Sequence, residues 1–430
     1  MNTITLPSTL EGFRHICTET ASTVTDRSIY LLDGILEHDE NPVCPECGRK
    51  MHSHDVYPTK LSHIPFSETL SIVRFNKHRY SCPGCGYRRM EDVPFQAERH
   101  RITKHLHAFC NDLLSCGLTI KMTSHLTGLG KNVVKQIDKE RLEACYCEGG
   151  SWKRPDENPH VIGIDEFKLH DGHCYATIII SMETGHVLYL ARGKKKQVVY
   201  DFMDFVGDEW MDGVEAICCD MNSDYQDAFE SRCTHIQVVY DFFHIKKNLN
   251  DKVISEVRKD EQRRLIAEGR KEEAAALKKT KYILTSSRES LLDKDAKKGT
   301  QRLERYEELI SQNKLLFAAD MVKEKLSHAY TLSDEAEMAK EIGEIMDICR
   351  GTRNVHFRWF ARLLDTHFEG IIAHATYKIS SSKVEGTNNL IKTIRRQGYG
   401  YPDDDYFFLK IFDSSRRVYI RNPKSPKIRD

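Results

Sequence analysis

No run of 18 consecutive apolar residues occurs in the 430-residue chain, so a membrane-spanning helix is not expected. The opening residues, M-N-T-I-T-L-P-S-T-L, lack a basic region followed by an apolar one. That argues against a secretory leader. Net charge is missing as well, since 64 Lys+Arg balance 64 Asp+Glu. No internal repeat is visible. What remains is 40% hydrophobic and 30% charged, as in a soluble globular protein of two to four domains. Fourteen cysteines are present. Without an export signal they point to reduced thiols and a metal site rather than to disulfides. A cytoplasmic location follows as the expectation.

The balanced total hides uneven segments. Between Cys44 and Arg141 there are 16 Lys+Arg, 9 Asp+Glu and eight His; between Arg350 and Gly400 there are nine Lys+Arg and three Asp+Glu. Such basic stretches suit phosphate contact, although a solvated charged face has the same composition. Residues 1–40 suggest a helical or irregular lead-in. Two Cys-x-x-Cys pairs then follow, Cys44/Cys47 and Cys82/Cys85, with 34 residues between Cys47 and Cys82. Pro and Gly inside each pair fit a tight knuckle that aims both sulfurs at one ion. Four thiolates so arranged make a closed structural Zn²⁺ site, in a ribbon over 41–97.

Residues 98–150 turn helical. A helix near 102–114, a shorter one at 119–127, the break G-L-G and a basic helix from Lys131 form a helix-turn-helix pattern. In that reading Lys131, Asn132, Lys135 and Gln136 face DNA, while Val133, Val134 and Ile137 pack inward. A plain three-helix packing unit fits the same spacing. A polar, Pro-containing linker leads to the runs V-I-G-I-D, C-Y-A-T-I-I-I-S and H-V-L-Y-L-A, predicted to be three meandering strands. Helix and strand then alternate through V-E-A-I-C-C-D and H-I-Q-V-V-Y-D. An α/β sheet of mixed pairing is expected. Residues 251–348 are rich in Lys, Arg, Glu, Ala and Leu with opposite charges at i,i+4, which predicts a long helical insertion.

Three carboxylates stand out. Asp165 and Asp220 end buried-type strands, and Glu385 lies in a segment with helical spacing. Hard anionic groups on rigid elements suit Mg²⁺ or Mn²⁺. Each has a competing explanation. Glu166 neighbours Asp165 on the opposite strand face. Asp224 and Asp227 follow Asp220 and fit a helix cap. Ser382 and Glu385 fit a capping box. Asp241 and His244 form another candidate pair. Glu385, Asn388, Asn389 and Lys392 lie at i, i+3, i+4 and i+7, on one helical face that Arg395 and Arg396 continue.

Taken in order, the paired C-P-x-C-G knuckles, V-I-G-I-D-E-F, A-I-C-C-D-M-N-S-D-Y, V-V-Y-D-F-F-H-I-K-K-N-L-N and S-S-K-V-E-G-T-N-N-L-I-K-T-I-R-R-Q-G-Y-G-Y resemble the DDE insertion-sequence transposases of the ISL-three group. The resemblance spans roughly residues 40–415. It implies an RNase H-like mixed-sheet core in two parts, 158–250 and 349–415, around the insertion, with a basic tail at 416–430. It implies Asp165, Asp220 and Glu385 as the catalytic triad holding two Mg²⁺ (or Mn²⁺) ions. Lys392, Arg395 and Arg396 would lie on DNA phosphate. The implied activity is strand cleavage and strand transfer at terminal inverted repeats. Double-stranded DNA, as transposon ends and target, is the implied partner of a homo-oligomer on the bacterial nucleoid, with no membrane involved. A non-catalytic DNA-binding regulator and a structure-specific nuclease on the same core are the alternative activities.

Overall fold

Leu61 stands opposite Val73 in a long antiparallel hairpin. The computed structural model describes residues 10–23, 27–37, 41–66, 69–221, 223–292, 296–379 and 382–417, without the side chains of 223, 296–299 and 382. By contact the chain divides into two units: Met1–Ser151 with Ile394–Ser414, and Trp152–Thr393 with Ser415–Asp430.

In the first unit five strands make one sheet: β1 (Phe13–Ser22), β2 (Ser28–Leu36), β3 (His52–Phe66), β4 (Thr69–Ser81) and β5 (Arg88–Met90). Their order is β1-β2-β4-β3, with β5 also on β4. The β2–β4 pairing is parallel and the others are antiparallel. Leu32, Leu61, Val73, Phe75 and Phe95 gather in a core on one sheet face, as a period of two requires. The expected helical or irregular lead-in is therefore incorrect over Phe13–Leu36. These strands are mostly solvent-facing, Ile16 being 63% exposed, so they carry no alternation for a sequence reading to find. Residues 1–9, 24–26 and 38–40 lie outside the described residues.

Three helices follow: α1 (Lys104–Ser115), α2 (Ile120–Thr127) and α3 (Lys131–Tyr146). Thr103 and Thr119 cap the first two, accepting from the N–H of Leu106 and Met122. Leu106, Cys110, Leu114, Val134 and Ile137 form their common core, and Val133 packs against it. A helix from much later in the chain, Asp404–Ser415, completes this unit. Its Tyr406 hydroxyl donates to Asp138 Oδ2 at 2.6 Å, and Lys410 Nζ lies 2.8 Å from the same oxygen.

The second unit holds β6 (Val161–Lys168), β7 (Tyr175–Ser181), β8 (Val187–Arg192), β9 (Ala216–Cys219) and β10 (Gln237–Tyr240). Their sheet order is β8-β7-β6-β9-β10. The first three pair antiparallel; β9 lies parallel to both β6 and β10. The mixed α/β sheet expected from the sequence is the one observed. Helices α4 (Lys196–Val206), α5 (Ser223–Arg232) and α6 (Phe242–Asn248) follow the strands, and a short π-helical turn, Leu249–Ile254, continues α6.

Successive helices occupy the region from Ser255 to Gly351, and α7 (Ser382–Gln397) comes after them. The Asp404–Ser415 helix is α8. Ile162, Ile164, Ile217 and Tyr240 share one continuous core with Leu309, Val322 and Ile345. The helical region is thus packed into the sheet's own core. The expected second core segment, 349–415, is divided by contact, because Ile394–Ser414 group with the first unit. No helix among the described residues is long and apolar enough to cross a membrane.

Candidate functional site

Cys44, Cys47, Cys82 and Cys85 converge, with all four sulfurs within 4.8 Å of one another. The Cys44–Cys85 and Cys47–Cys82 sulfur pairs are 3.5 and 3.4 Å apart. Tetrahedral ligands at a Zn–S distance of about 2.3 Å would be about 3.8 Å apart, so little movement is needed to seat an ion. In both knuckles a glycine at positive φ, Gly48 (φ 71°) or Gly86 (φ 74°), closes the turn onto the first cysteine's carbonyl. The Cys85 and Gly84 backbone N–H groups help hold the Cys82 thiol down to about 6, whereas the Cys47 and Cys85 thiols are pushed up among the neighbouring sulfurs.

The carboxylates lie in the second unit. Ala216, Ile217 and Cys218 of β9 pair with Val161, Ile162 and Gly163 of β6. Asp220 follows the last residue of β9, and its charge acts on Asp165 in β6. Ile162 and Ile164 point into the main core, so Gly163 and Asp165 share the other face. That face meets the first turns of α7. A Cβ at position 163 would stand 2.6 Å from Met182 Sδ and 3.2 Å from Val384 Cγ2, so glycine lets the helix approach. One turn further, Asn388 Nδ2 donates to Asp165 Oδ2 at 2.6 Å, and the Glu166 N–H donates to Oδ1 at 2.8 Å. Burial pushes the Asp165 carboxyl above its usual range and the charge of Asp220 adds to this, against the Asn388 and Glu166 hydrogen bonds.

His244 of α6 places Nδ1 3.2 Å from Asp220 Oδ1. Asp241 is buried and caps α6, accepting from the Phe243 N–H at 2.9 Å. Glu166 points away from the Asp165 face. Lys194 Nζ is 3.7 Å from its Oε1, and its Oε2 is buried without a hydrogen-bond partner. Glu385 is exposed on α7, one turn before Asn388. Asp165, Asp220 and Glu385 are not among the groups of described residues whose ligand atoms all fall within 4.8 Å of one another. The capping-box reading of Ser382 lies outside the described side chains.

Of the residues expected to face DNA, Lys131, Asn132 and Gln136 are exposed at the start of α3. Lys135 is engaged, with Nζ 3.3 Å from Asp403 Oδ2 and 5.2 Å above the Tyr406 ring. Lys392 and Arg396 are exposed, whereas the Arg395 guanidinium lies 5.2 Å over the Phe407 ring. Sequence reading missed two parts of the site, the contact of His244 with Asp220 and the role of Gly163. A lone glycine among isoleucines, two residues before an aspartate, was the available signal for the second.

Comparison with known proteins places the molecule among the transposases. Residues 162–411 match the DDE transposase family of the ISL3 group, and residues 40–85 match the zinc finger of the IS204/IS1001/IS1096/IS1165 transposases. The chain belongs to the ISL3 transposase family. It is 26% identical over 372 residues to the transposase for insertion sequence element IS1001 of Bordetella parapertussis, covering 86% of this chain and 87% of that one. A transposase for element IS1557 of Mycobacterium tuberculosis is 23% identical over 262 residues, 57% of each chain. The family and the four-cysteine cluster together support a structural zinc ion.

Proposed function

We propose that the protein binds the terminal inverted repeats of its insertion sequence and catalyses cleavage and transfer of DNA strands there. In this reading an RNase H-like core uses Asp165, Asp220 and Glu385 to hold two Mg²⁺ or Mn²⁺ ions. The observation that carries it is Asn388 of the Glu385-bearing helix bonded to Asp165, on a strand that pairs parallel with the one Asp220 follows. The sheet, three antiparallel strands followed by two parallel ones, supports such a core.

The residues fit the ions. Carboxylate oxygens are the hard donors these cations prefer. The Asp220 charge acts to raise the Asp165 carboxyl, so a cation beside the two is favoured. Bound there, two divalent ions supply Lewis-acid activation of the attacking and leaving oxygens in in-line displacement at phosphorus. Asn388 fixes the orientation of Asp165, and His244 that of Asp220. Exposed Lys392 and Arg396 position backbone phosphate. Helices α2 and α3 act as a helix-turn-helix, presenting Lys131, Asn132 and Gln136 to DNA, with Lys135 exchanging Asp403 for phosphate.

The test is a nicking and strand-transfer assay on DNA carrying the inverted repeats that flank the coding region, with Mg²⁺ and with EDTA. Asp165→Ala, Asp220→Ala and Glu385→Ala should each abolish cleavage and leave end binding largely intact. Full cleavage by the Glu385→Ala protein would sink the triad. Cutting of branched DNA without regard to the repeats would make the protein a structure-specific nuclease instead.

A further inference from the structure

His100, His107 and Glu140 form a second group of metal-ligating side chains, distant in sequence from the knuckle cysteines. Their ligand atoms all lie within 4.8 Å of one another, His100 being buried and the other two half-buried. His100 comes from the turn before α1, His107 from α1 and Glu140 from α3. His100 Nε2 and Glu140 Oε2 are 3.0 Å apart. Ligands of a tetrahedral zinc at about 2.0 Å would be about 3.3 Å apart, so this spacing serves a hydrogen bond or joint ligation equally.

The surroundings favour ligation. Metal-binding histidines ordinarily donate their second ring nitrogen to a fixed acceptor, which sets the tautomer. Asn111, one turn beyond His107, has its Oδ1 buried without a hydrogen-bond partner, while its Nδ2 lies 3.5 Å from His107 Nδ1. A half-turn of the amide exchanges the two atoms and brings Oδ1 to Nδ1, where it accepts the ring proton. His107 is then locked with Nε2 as the lone-pair nitrogen. Glu140 is braced in the same manner, because Gln136 Nε2 donates to its Oε1 at 3.0 Å and leaves Oε2 toward His100. The His100 carbonyl is fixed by Gln96 Nε2 at 3.1 Å.

We propose that His100, His107 and Glu140 bind a second divalent transition-metal ion, zinc, that ties α3 to α1 and to the turn preceding it. Two imidazoles and one carboxylate form a three-ligand zinc set that leaves a fourth position for water. A surface cavity of about 480 Å³, lined by His107, Glu140, Arg99 and Lys104 among others, provides the room for it. The ion is structural in effect: it fixes the direction of the helix that carries Lys131, Asn132 and Gln136.

The experiment is metal analysis of untagged full-length protein after equilibration with zinc and removal of the excess. Wild type should carry two zinc ions per chain, and His107→Gln and Glu140→Gln one each. One ion per chain in wild type, or two in both variants, overturns the proposal. Cobalt substitution of the wild-type protein tests it without any variant. The second equivalent should add ligand-field absorption with no further thiolate-to-cobalt charge transfer. Saturation after a single thiolate-ligated equivalent would also overturn it.

Discussion

Asp165 is held by one side-chain amide, and that bond carries two predictions. Groups that orient a metal-binding side chain typically matter by about 10–100-fold in affinity or activity. Asn388→Ala should therefore lower strand cleavage by about that factor without unfolding the protein, as single-turnover rates and a thermal melt would measure together. Equal rates in the two proteins would reduce Asn388 to a packing residue. The second prediction concerns pH. Burial and the Asp220 charge raise the Asp165 pKa, so the folded protein keeps this proton above the ordinary carboxylate range of about 4. Ionised Asp165 therefore costs stability, and a divalent cation bound there as proposed would have to displace the proton. Thermal stabilisation by Mn²⁺ should grow as pH rises from about 4 toward neutrality, and Asp165→Asn should flatten that rise.

Helix α3 shows what a sequence pattern can and cannot contain. Its inward stripe of Val134 and Ile137 was legible from spacing, as were its start after Gly130 and the strands around Asp165. Asp138 was not. It is wholly buried, bonded to Tyr406 and Lys410 of α8 and, at 2.9 Å, to Arg141, which also reaches Asp413 at 3.2 Å. Tyr406 and Lys410 lie 268 and 272 positions away, and no local periodicity reports such a distance. The parallel pairing of β6 with β9 was hidden for the same reason: parallel register is a long-range property, whereas Cys44-x-x-Cys47 is a local one. Burial opposes ionisation of Asp138, but Lys410 and the hydrogen bonds outweigh it and hold its pKa down. Its stabilising effect is thus complete above the unfolded value of about 4 and is lost as pH falls below it. Replacing Asp138 by Ala leaves half-buried Lys410 without this carboxylate and Arg141 with Asp413 alone, and should cost about 3 kcal/mol. Denaturant unfolding would measure the loss, and the variant's acid limb should be flatter than wild type's.

At the scale of the whole chain, the zinc ribbon and the acidic sheet ends belong to different compact units. Each holds its own core, so calorimetry should resolve two transitions. A strong chelator should lower the one belonging to the ribbon-bearing unit and leave the other within about a degree or two, because a structural zinc site supplies folding energy to its own unit. A single transition moved as a whole by chelation would show the units to be coupled. The continuous stretch of α7 and α8 has a further consequence, for synthesis. Glu385 follows Asp220 by 165 positions, and α8 supplies the partners of Asp138. At roughly 5–20 residues per second, both units wait many seconds on the ribosome for the same late segment. Chains released before Ser382 therefore lack the last carboxylate in one unit and the buried counter-charges in the other. On the proposed function, early termination should yield a product inert in cutting and unstable as a competitor for the transposon ends.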